Sequence, residues 1–465
     1  MKVLAIAALT IRDAIRSRVL AAIAVLLLVV VVGVPFAVTG DGTLLGEMRV
    51  LLHYTLGLVG FLLGAAALWT ACGAVARDIE DKHVLLTAVK PVSRIGIWAG
   101  RWLGLVALNA VLLALCGGLA FGMVQARLAG GEITAAQRRE VAQRILVGRR
   151  RLAAKPPPIE DAVADRLARL REQGAMPADV PDGEAAAVIR RRLLAAAAVT
   201  GPGASRRWVF ESPGRVPAGR RAVLRVTPRA PTRDMAPAAG TWTLRSGERE
   251  HRIRTDPLVE GVHLLELPAA LLRSGALTVE FRNDSAATSR TLLFPVGDSA
   301  EVLIEETGFA ANLARALFVV LCRLAALTAL GLTAGCLFSF PVAAFAASGL
   351  VCGLLLSRAF VAAAGPEASA AAHGHHRHPE PAGNGTVVAR LLEAGEAIAH
   401  PLAAVAASTM RGDVLRRLAD GILLPDREVG GAALALGLLY PAGFALLGSF
   451  ALRRRELGLP GGGWT

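Results

Sequence analysis

Arg77-Asp78-Ile79-Glu80-Asp81-Lys82-His83, then Leu85-Leu86, Lys90-Pro91-Val92-Ser93-Arg94 and Gly100-Arg101, form a charged hinge between two apolar runs, residues 56–76 and 102–124. Each run can cross a bilayer as a helix, because about 20 apolar residues rising about 1.5 Å apiece match a hydrocarbon core about 30 Å thick. Backbone polar groups find no water there, so a helix, which satisfies them internally, is the expected conformation. The stretch therefore predicts two spans joined by a short polar loop at the membrane surface.

Composition points the same way. The 465 residues are 54% hydrophobic with a mean hydropathy of +0.50, above the roughly 45–50% apolar content of soluble domains. The apolar residues also cluster in runs instead of spreading along amphipathic stripes. Net charge is +14, yet only Lys2, Lys82, Lys90 and Lys155 of the 51 basic residues are lysine. An Arg and Ala bias of this kind arises from a GC-rich coding sequence without any arginine-specific role. A basic balance can also signal nucleic acid, but no recognition motif is visible and few aromatics could stack bases, so no nucleic-acid partner is expected. Cys72, Cys116, Cys322, Cys336 and Cys352 all fall in apolar runs, which leaves the polar middle of the chain without a disulfide framework.

Working outward, residues 1–18 read as an amphipathic helix, with Arg12 and Arg16 four apart beside Asp13, Ser17 and Arg18. The run 19–38 ends in Gly40-Asp41-Gly42 without an Ala-x-Ala cleavage pattern, which favours a first span behind an interfacial helix over a signal peptide. Further spans are expected at 313–338, 341–363 and 431–452. Trp98 and Trp102 are expected to mark a membrane interface, as aromatic belts do. Six spans put both chain ends on one side. Lys2, Arg12, Arg16, Arg18, the basic residues from Arg77 to Arg101, and Arg453-Arg454-Arg455 all fall on that side, and the positive-inside rule makes it cytoplasmic. The insert from Arg127 to Gly308 carries 29 Arg or Lys against 22 Asp or Glu, but long domains translocate largely regardless of charge.

The expected organisation is an N-terminal membrane part over residues 1–127, an extracytoplasmic α+β domain over 128–308, and a second membrane part over 309–465. In the insert, helical arms over 132–200 (helices at 135–154, 159–173 and 183–199) precede an antiparallel β-sandwich over 206–306, whose short strands alternate in hydropathy between Gly, Pro and Asn-Asp turns. Trp208, Phe210, Trp242 and Phe281 are expected in its core and not on a carbohydrate platform. Residues 364–430 form an external loop, His-, Gly- and Pro-rich over 364–385, with an amphipathic helix over 387–410 that lies on the outer surface or dips into it. A cytoplasmic tail follows the last span.

No Gly-x-x-x-x-Gly-Lys-[Ser/Thr] loop is present and no catalytic constellation stands out, so the chain is expected to be neither an ATPase nor another enzyme, and to hold no cofactor. His373, His375, His376 and His378 have the chemistry of metal ligands, against the plainer reading of a low-complexity loop. Arg323 lies inside a span, where a charge costs about 2.5–3.5 kcal/mol on insertion scales. It fits a structural polar contact, a substrate or gating role, or snorkelling to the headgroups. Arg315 lies near the outer end, within snorkelling reach. Asn109 is expected to hydrogen-bond between helices.

Three places in the chain carry a resemblance. They are Leu9-Thr10-Ile11-Arg12-Asp13-Ala14-Ile15-Arg16-Ser17-Arg18, the hinge from Arg77 through Leu85-Leu86 and Lys90-Pro91-Val92-Ser93-Arg94 to Gly100-Arg101, and Leu418-Ala419-Asp420-Gly421-Ile422-Leu423-Leu424-Pro425 continuing to Leu452-Arg453-Arg454-Arg455-Glu456-Leu457. Together they resemble the membrane subunit of an ABC-2 type exporter, in the branch that includes the nitrous-oxide-reductase maturation permeases. His83 stands where a Gly is common in that family, and the large insert is absent from its minimal members, so substrate assignments do not carry over. The resemblance implies a permease-like bundle of six spans in a bacterial inner membrane, paired as a homodimer or heterodimer. Separate ATPase subunits would bind ATP and push on the interfacial helix (Arg12, Arg16, Arg18) and the loop (Asp78, Glu80, Asp81, Lys90, Pro91, Arg94). The alternatives are a membrane-anchored assembly or maturation factor whose sandwich binds a partner, and, for the loop charges alone, a role as headgroup anchors.

Overall fold

The computed structural model describes residues 2–37, 43–80, 93–130, 133–175, 180–211, 220–229, 238–258, 261–268, 270–273, 275–285, 290–297, 299–356 and 414–454. The hinge residues 81–92, the histidine-bearing stretch 364–385, the expected helix 387–410 and residues 455–465 lie outside the described residues. Two compact units make up the chain: Met1–Leu146 with Gly308–Thr465, and Val147–Thr307.

The first unit opens with α1 (Lys2–Arg16) and α2 (Arg18–Ala37). Between them Ser17 caps α2, its Oγ accepting the Leu20 N–H at 3.1 Å, which satisfies one of the amides a helix start leaves open. Helix α3 (Leu44–Glu80) starts well before the expected residue 56. Glu47 and Arg49 interrupt the apolar run in sequence but find ion-pair partners in Arg127 at 3.7 Å and Asp420 at 3.6 Å. A π-helical turn at Leu51–Thr55 lies between the two halves of α3. Helix α4 (Arg94–Ala129) is capped by Ser93, whose Oγ accepts the Gly96 N–H at 3.2 Å. Helix α5 (Ala135–Arg144) begins with a reciprocal Thr134–Gln137 capping box.

The second unit corrects one sequence expectation. In place of a helix over 135–154, α5 ends and β1 (Val147–Ala153) follows. Its arginines find carboxylates on a neighbouring strand, Arg150 pairing with Glu306 at 2.5 Å and Arg151 with Glu301. Tertiary pairing here overrides a helical composition. Helices α6 (Glu160–Glu172) and α7 (Asp182–Ala198) follow as expected. They are joined by the bidentate pair between Arg190 and Glu160, at 2.6 and 3.0 Å. The strands are β2 (Val199–Thr200), β3 (Ser205–Phe210), β4 (Ala222–Val226), β5 (Ala238–Ser246), β6 (Arg249–Leu258), β7 (His263–Leu267), β8 (Leu277–Asn283), β9 (Leu292–Leu293) and β10 (Ala300–Gly308).

Two four-stranded sheets result, ordered β1-β10-β4-β7 and β3-β8-β5-β6, with β2 and β9 paired separately. Pairings β10–β4, β4–β7, β3–β8, β5–β8 and β5–β6 are all antiparallel. Side chains from both sheets share one apolar core. At its centre Trp242, Phe281 and Phe294 lie 4.5–6.1 Å apart between ring centroids, so the aromatics are core residues. Strand β6, hidden in sequence by its charges, pairs with β5 through a tight turn in which Gly247 takes φ +57°. Glu301 of β10 is 1% exposed at its side chain and lies between Arg151 and Arg225.

The chain returns to the first unit with α8 (Phe309–Leu337), α9 (Phe340–Leu356), the short α10 (Val414–Ala419) and α11 (Asp426–Arg453). Helices α2, α3, α4, α8 and α11 are each long and apolar enough to cross a membrane, and the described part of α9 is shorter. Helix α8 is the most enclosed, and it meets α3 through small residues. A Cβ added at Gly331 would lie 2.7 Å from the Leu68 carbonyl, and one at Gly335 would lie 2.5 Å from that of Cys72. Close backbone approach of this kind drives association where lipid removes the hydrophobic effect between helices. Trp98 and Trp102 do not form an interfacial belt. Trp98 is 2% exposed, stacks on Trp102 at 6.3 Å and packs on Gly448 of α11, while Trp102 donates to the Ala325 carbonyl at 2.9 Å. Asn109 donates to Leu105 of its own helix at 2.9 Å, not across to another helix. Among the cysteines, Cys72, Cys116, Cys322 and Cys336 are buried and Cys352 is exposed.

Two outcomes are expected. Trp242→Ala lowers the stability of the β unit by about 3–5 kcal/mol, whereas the exposed Val209→Ala changes it by less than about 0.5 kcal/mol; pulse proteolysis of the full chain in detergent reads both. The Glu160 carboxyl is held below its ordinary range by its hydrogen bond and charge contact with Arg190. A depressed folded value means the pair stabilises fully above the unfolded value of about 4.3 and weakens as pH falls through the lower, folded one. Arg190→Ala removes the pair at every pH and is expected to abolish that pH-dependent loosening, measured as the spin-label distance between α6 and α7.

Candidate functional site

The helix ends that flank residues 81–92 meet in one cluster. Asp78 and Glu80 sit in the last turn of α3, where acidic side chains oppose the helix dipole, and both find stabilising partners on other helices. Asp78 pairs with Arg101 of α4, which also donates to the Ala74 carbonyl one turn earlier on α3. Glu80 accepts the N–H of Phe340, the first residue of α9, at 3.2 Å. Arg77 lies over the Phe340 ring, 4.3 Å from its centroid. Arg94, opening α4, donates to the carbonyl of Leu452 near the end of α11.

Helix α1 joins the same cluster along α4. A Cβ at Gly100 would lie 2.7 Å from that of Ile6, and one at Gly104 would lie 2.7 Å from the Ala7 carbonyl. These two glycines, one turn apart, let α1 approach backbone to backbone on either side of Arg101. Arg12, Arg16 and Arg18 are exposed on α1 and the start of α2. The ends of α3, α4, α9 and α11, and the body of α1, are thus tied together by Asp78, Glu80, Arg94, Arg101 and two glycines.

Asp81, Lys90 and Pro91, and the histidines at 373, 375, 376 and 378, lie outside the described residues. Arg323 is half-buried in α8 between the buried Cys322 and Leu324. Among the described residues no group of three or more metal-ligating side chains comes together.

A second clamp, not anticipated from the sequence, sits near the start of α8. Asn312 is fully buried, donates from Nδ2 to the Ile422 carbonyl at 2.9 Å, and accepts the Leu424 N–H on Oδ1 at 3.1 Å. Its amide does what a neighbouring β-strand would do for an extended segment. Arg315 does not snorkel freely: it donates to the Leu424 carbonyl at 3.3 Å and pairs with Asp426 at 2.8 Å. The helix α10 is closed beforehand by Gly421 at φ +67°, with Ile422 N–H bonding to Arg417 and Gly421 N–H to Leu418. An Asn at the edge of an apolar run was the available signal, and nothing in the sequence named its partner 110 positions away.

No protein-family model, no curated protein and no solved structure matches this chain. The geometry of the cluster of helix ends is mechanical: bonds at one place join four helices, and a fifth packs closely against them.

Gly104→Val drives a branched side chain into the Ala7 backbone and is expected to weaken the α1–α4 contact by about 1–3 kcal/mol. Hydrogen exchange across α1 should rise while exchange across α8 stays unchanged; equal protection of α1 in the variant and the parent would contradict the close-approach account.

Proposed function

We propose that this chain is the membrane subunit of an ABC-2 type exporter. In that role it couples ATP hydrolysis on a separate ATPase subunit to export or other mechanical work across the membrane. What supports the reading is the cluster at the base of the charged loop. A protein that receives force at one surface needs the ends of several helices bonded together there, and Asp78, Glu80, Arg94 and Arg101 supply those bonds. The missing phosphate-binding loop fits an energy source that docks from outside the chain.

On this reading α9 extends into the fifth of six spans, both termini are cytoplasmic, and the unit Val147–Thr307 lies on the far side of a bacterial inner membrane. A second permease subunit, identical or related, completes the bundle, and the bilayer is its other partner. Asp78 and Arg94 already serve the chain's own helices, so contact with the ATPase falls to the loop charges Asp81, Lys82 and Lys90, with Pro91 stiffening the turn.

Reversing Asp81 and Lys90 together (Asp81→Lys, Lys90→Glu) should lower recovery of a copurifying ATPase subunit at least about tenfold, since misplaced like charges at an interface cost several kcal/mol. Membrane insertion and monodispersity should be retained. Undiminished ATPase recovery from the reversed loop would remove the docking assignment.

A further inference from the structure

One face of α3 forms a socket for a single side chain. Trp69, Gly73, Arg77 and Glu80 follow one another at intervals of four, four and three residues, which stacks them along one side of a helix. All four touch Phe340. The Trp69 ring meets the Phe340 ring edge-on at 5.1 Å. Gly73 leaves room for it, since an added Cβ there would lie 3.3 Å from the ring. Arg77 covers the ring face at 4.3 Å, a cation–π contact. Glu80 accepts the Phe340 N–H at 3.2 Å.

Phe340 is also the first residue of α9, and its N–H is one of those a helix start leaves open. The next residue, Pro341, has no N–H at all. Glu80 therefore acts as an anionic cap supplied by another helix, favourable at the positive end of the α9 dipole and unfavourable at the negative end of its own. The same carboxylate sits on the last described turn of α3 and caps the start of α9. In sequence the two helices are separated by every element from α4 to α8.

We propose that Phe340 and its socket are the joint that carries movement of the C-terminal end of α3 directly into α9. The proposal rests on the reading of the adjoining loop as the place where force is applied. Rotation or withdrawal of the last turn of α3 moves the ring contacts and the cap together, so α9 must follow or lose its first hydrogen bond. Phe61, an exposed phenylalanine on the same helix, is the natural control.

Cys352 offers a reporter, being exposed on α9 while the other four cysteines are buried. The full chain is labelled there with a methanethiosulfonate spin label and reconstituted in lipid nanodiscs. Glu80→Ala and Phe340→Leu should each raise the ratio of mobile to immobile label about fivefold, the scale of a lost helix cap. Phe61→Leu should leave it unchanged. If Phe61→Leu mobilises Cys352 as much as Glu80→Ala does, or neither Glu80→Ala nor Phe340→Leu changes the spectrum, the joint does not exist. Adding a copurified ATPase subunit trapped with ATP and vanadate should shift the label in the parent chain and not in Phe340→Leu. An ATPase that binds without shifting the parent label overturns the joint while docking stands. An ATPase that never binds overturns docking, and the variant spectra still decide on the joint.

Discussion

A guanidinium that cannot lose its charge has to be neutralised where it sits, and Arg101 sits two turns inside α4 among apolar helices. Asp78 and the Ala74 carbonyl, one turn apart on α3, do this together. Removing one member of an enclosed pair costs about 3–5 kcal/mol, more than the pair itself contributes, because the remaining charge is left unmet. That asymmetry sets the vertical register of α3 against α4. The rest of the first unit builds on it: α1 seats on the glycines that flank Arg101, and Trp98 and Trp102 on the same helix reach α11 and α8.

The membrane class of the chain was legible because length and hydropathy alone decide whether a helix can cross a bilayer, and α2, α4, α8 and α11 lie close to where the apolar runs place them. The start of α3 was not, since Glu47, Arg49 and His53 break the run and only their tertiary surroundings make them compatible with a helix. Trp98 and Trp102 illustrate the opposite failure. Aromatic residues near a span end usually meet headgroups, but Gly448 opens a space for Trp98 that lies far away in sequence. In the candidate site, Asp78, Glu80 and Arg94 could be singled out from charge and position. Their internal partners could not, because a backbone carbonyl or amide leaves no mark in a sequence.

The β unit divides along the same line. Strands β3, β4, β5, β7 and β8 announce themselves by alternation, since one face of each meets the shared aromatic core. Strand β1 and strand β6 do not, for the first is disguised by three consecutive arginines and the second by charges on its outer face. Both are end strands of their sheets, where charged side chains also discourage unwanted strand pairing. The signal that hides these strands from pattern reading is thus the one that protects them.

The side chain of Asn312 stands in for a peptide group, with one donor and one acceptor set at the spacing of an extended chain. Such a pair reads polarity as well as shape. Aspartate has the same outline but would turn a carboxylate oxygen toward the Ile422 carbonyl. The residues from Ile422 to Asp426 therefore form a fixed ruler against Asn312 and Arg315, in which an insertion or deletion would break the pairing.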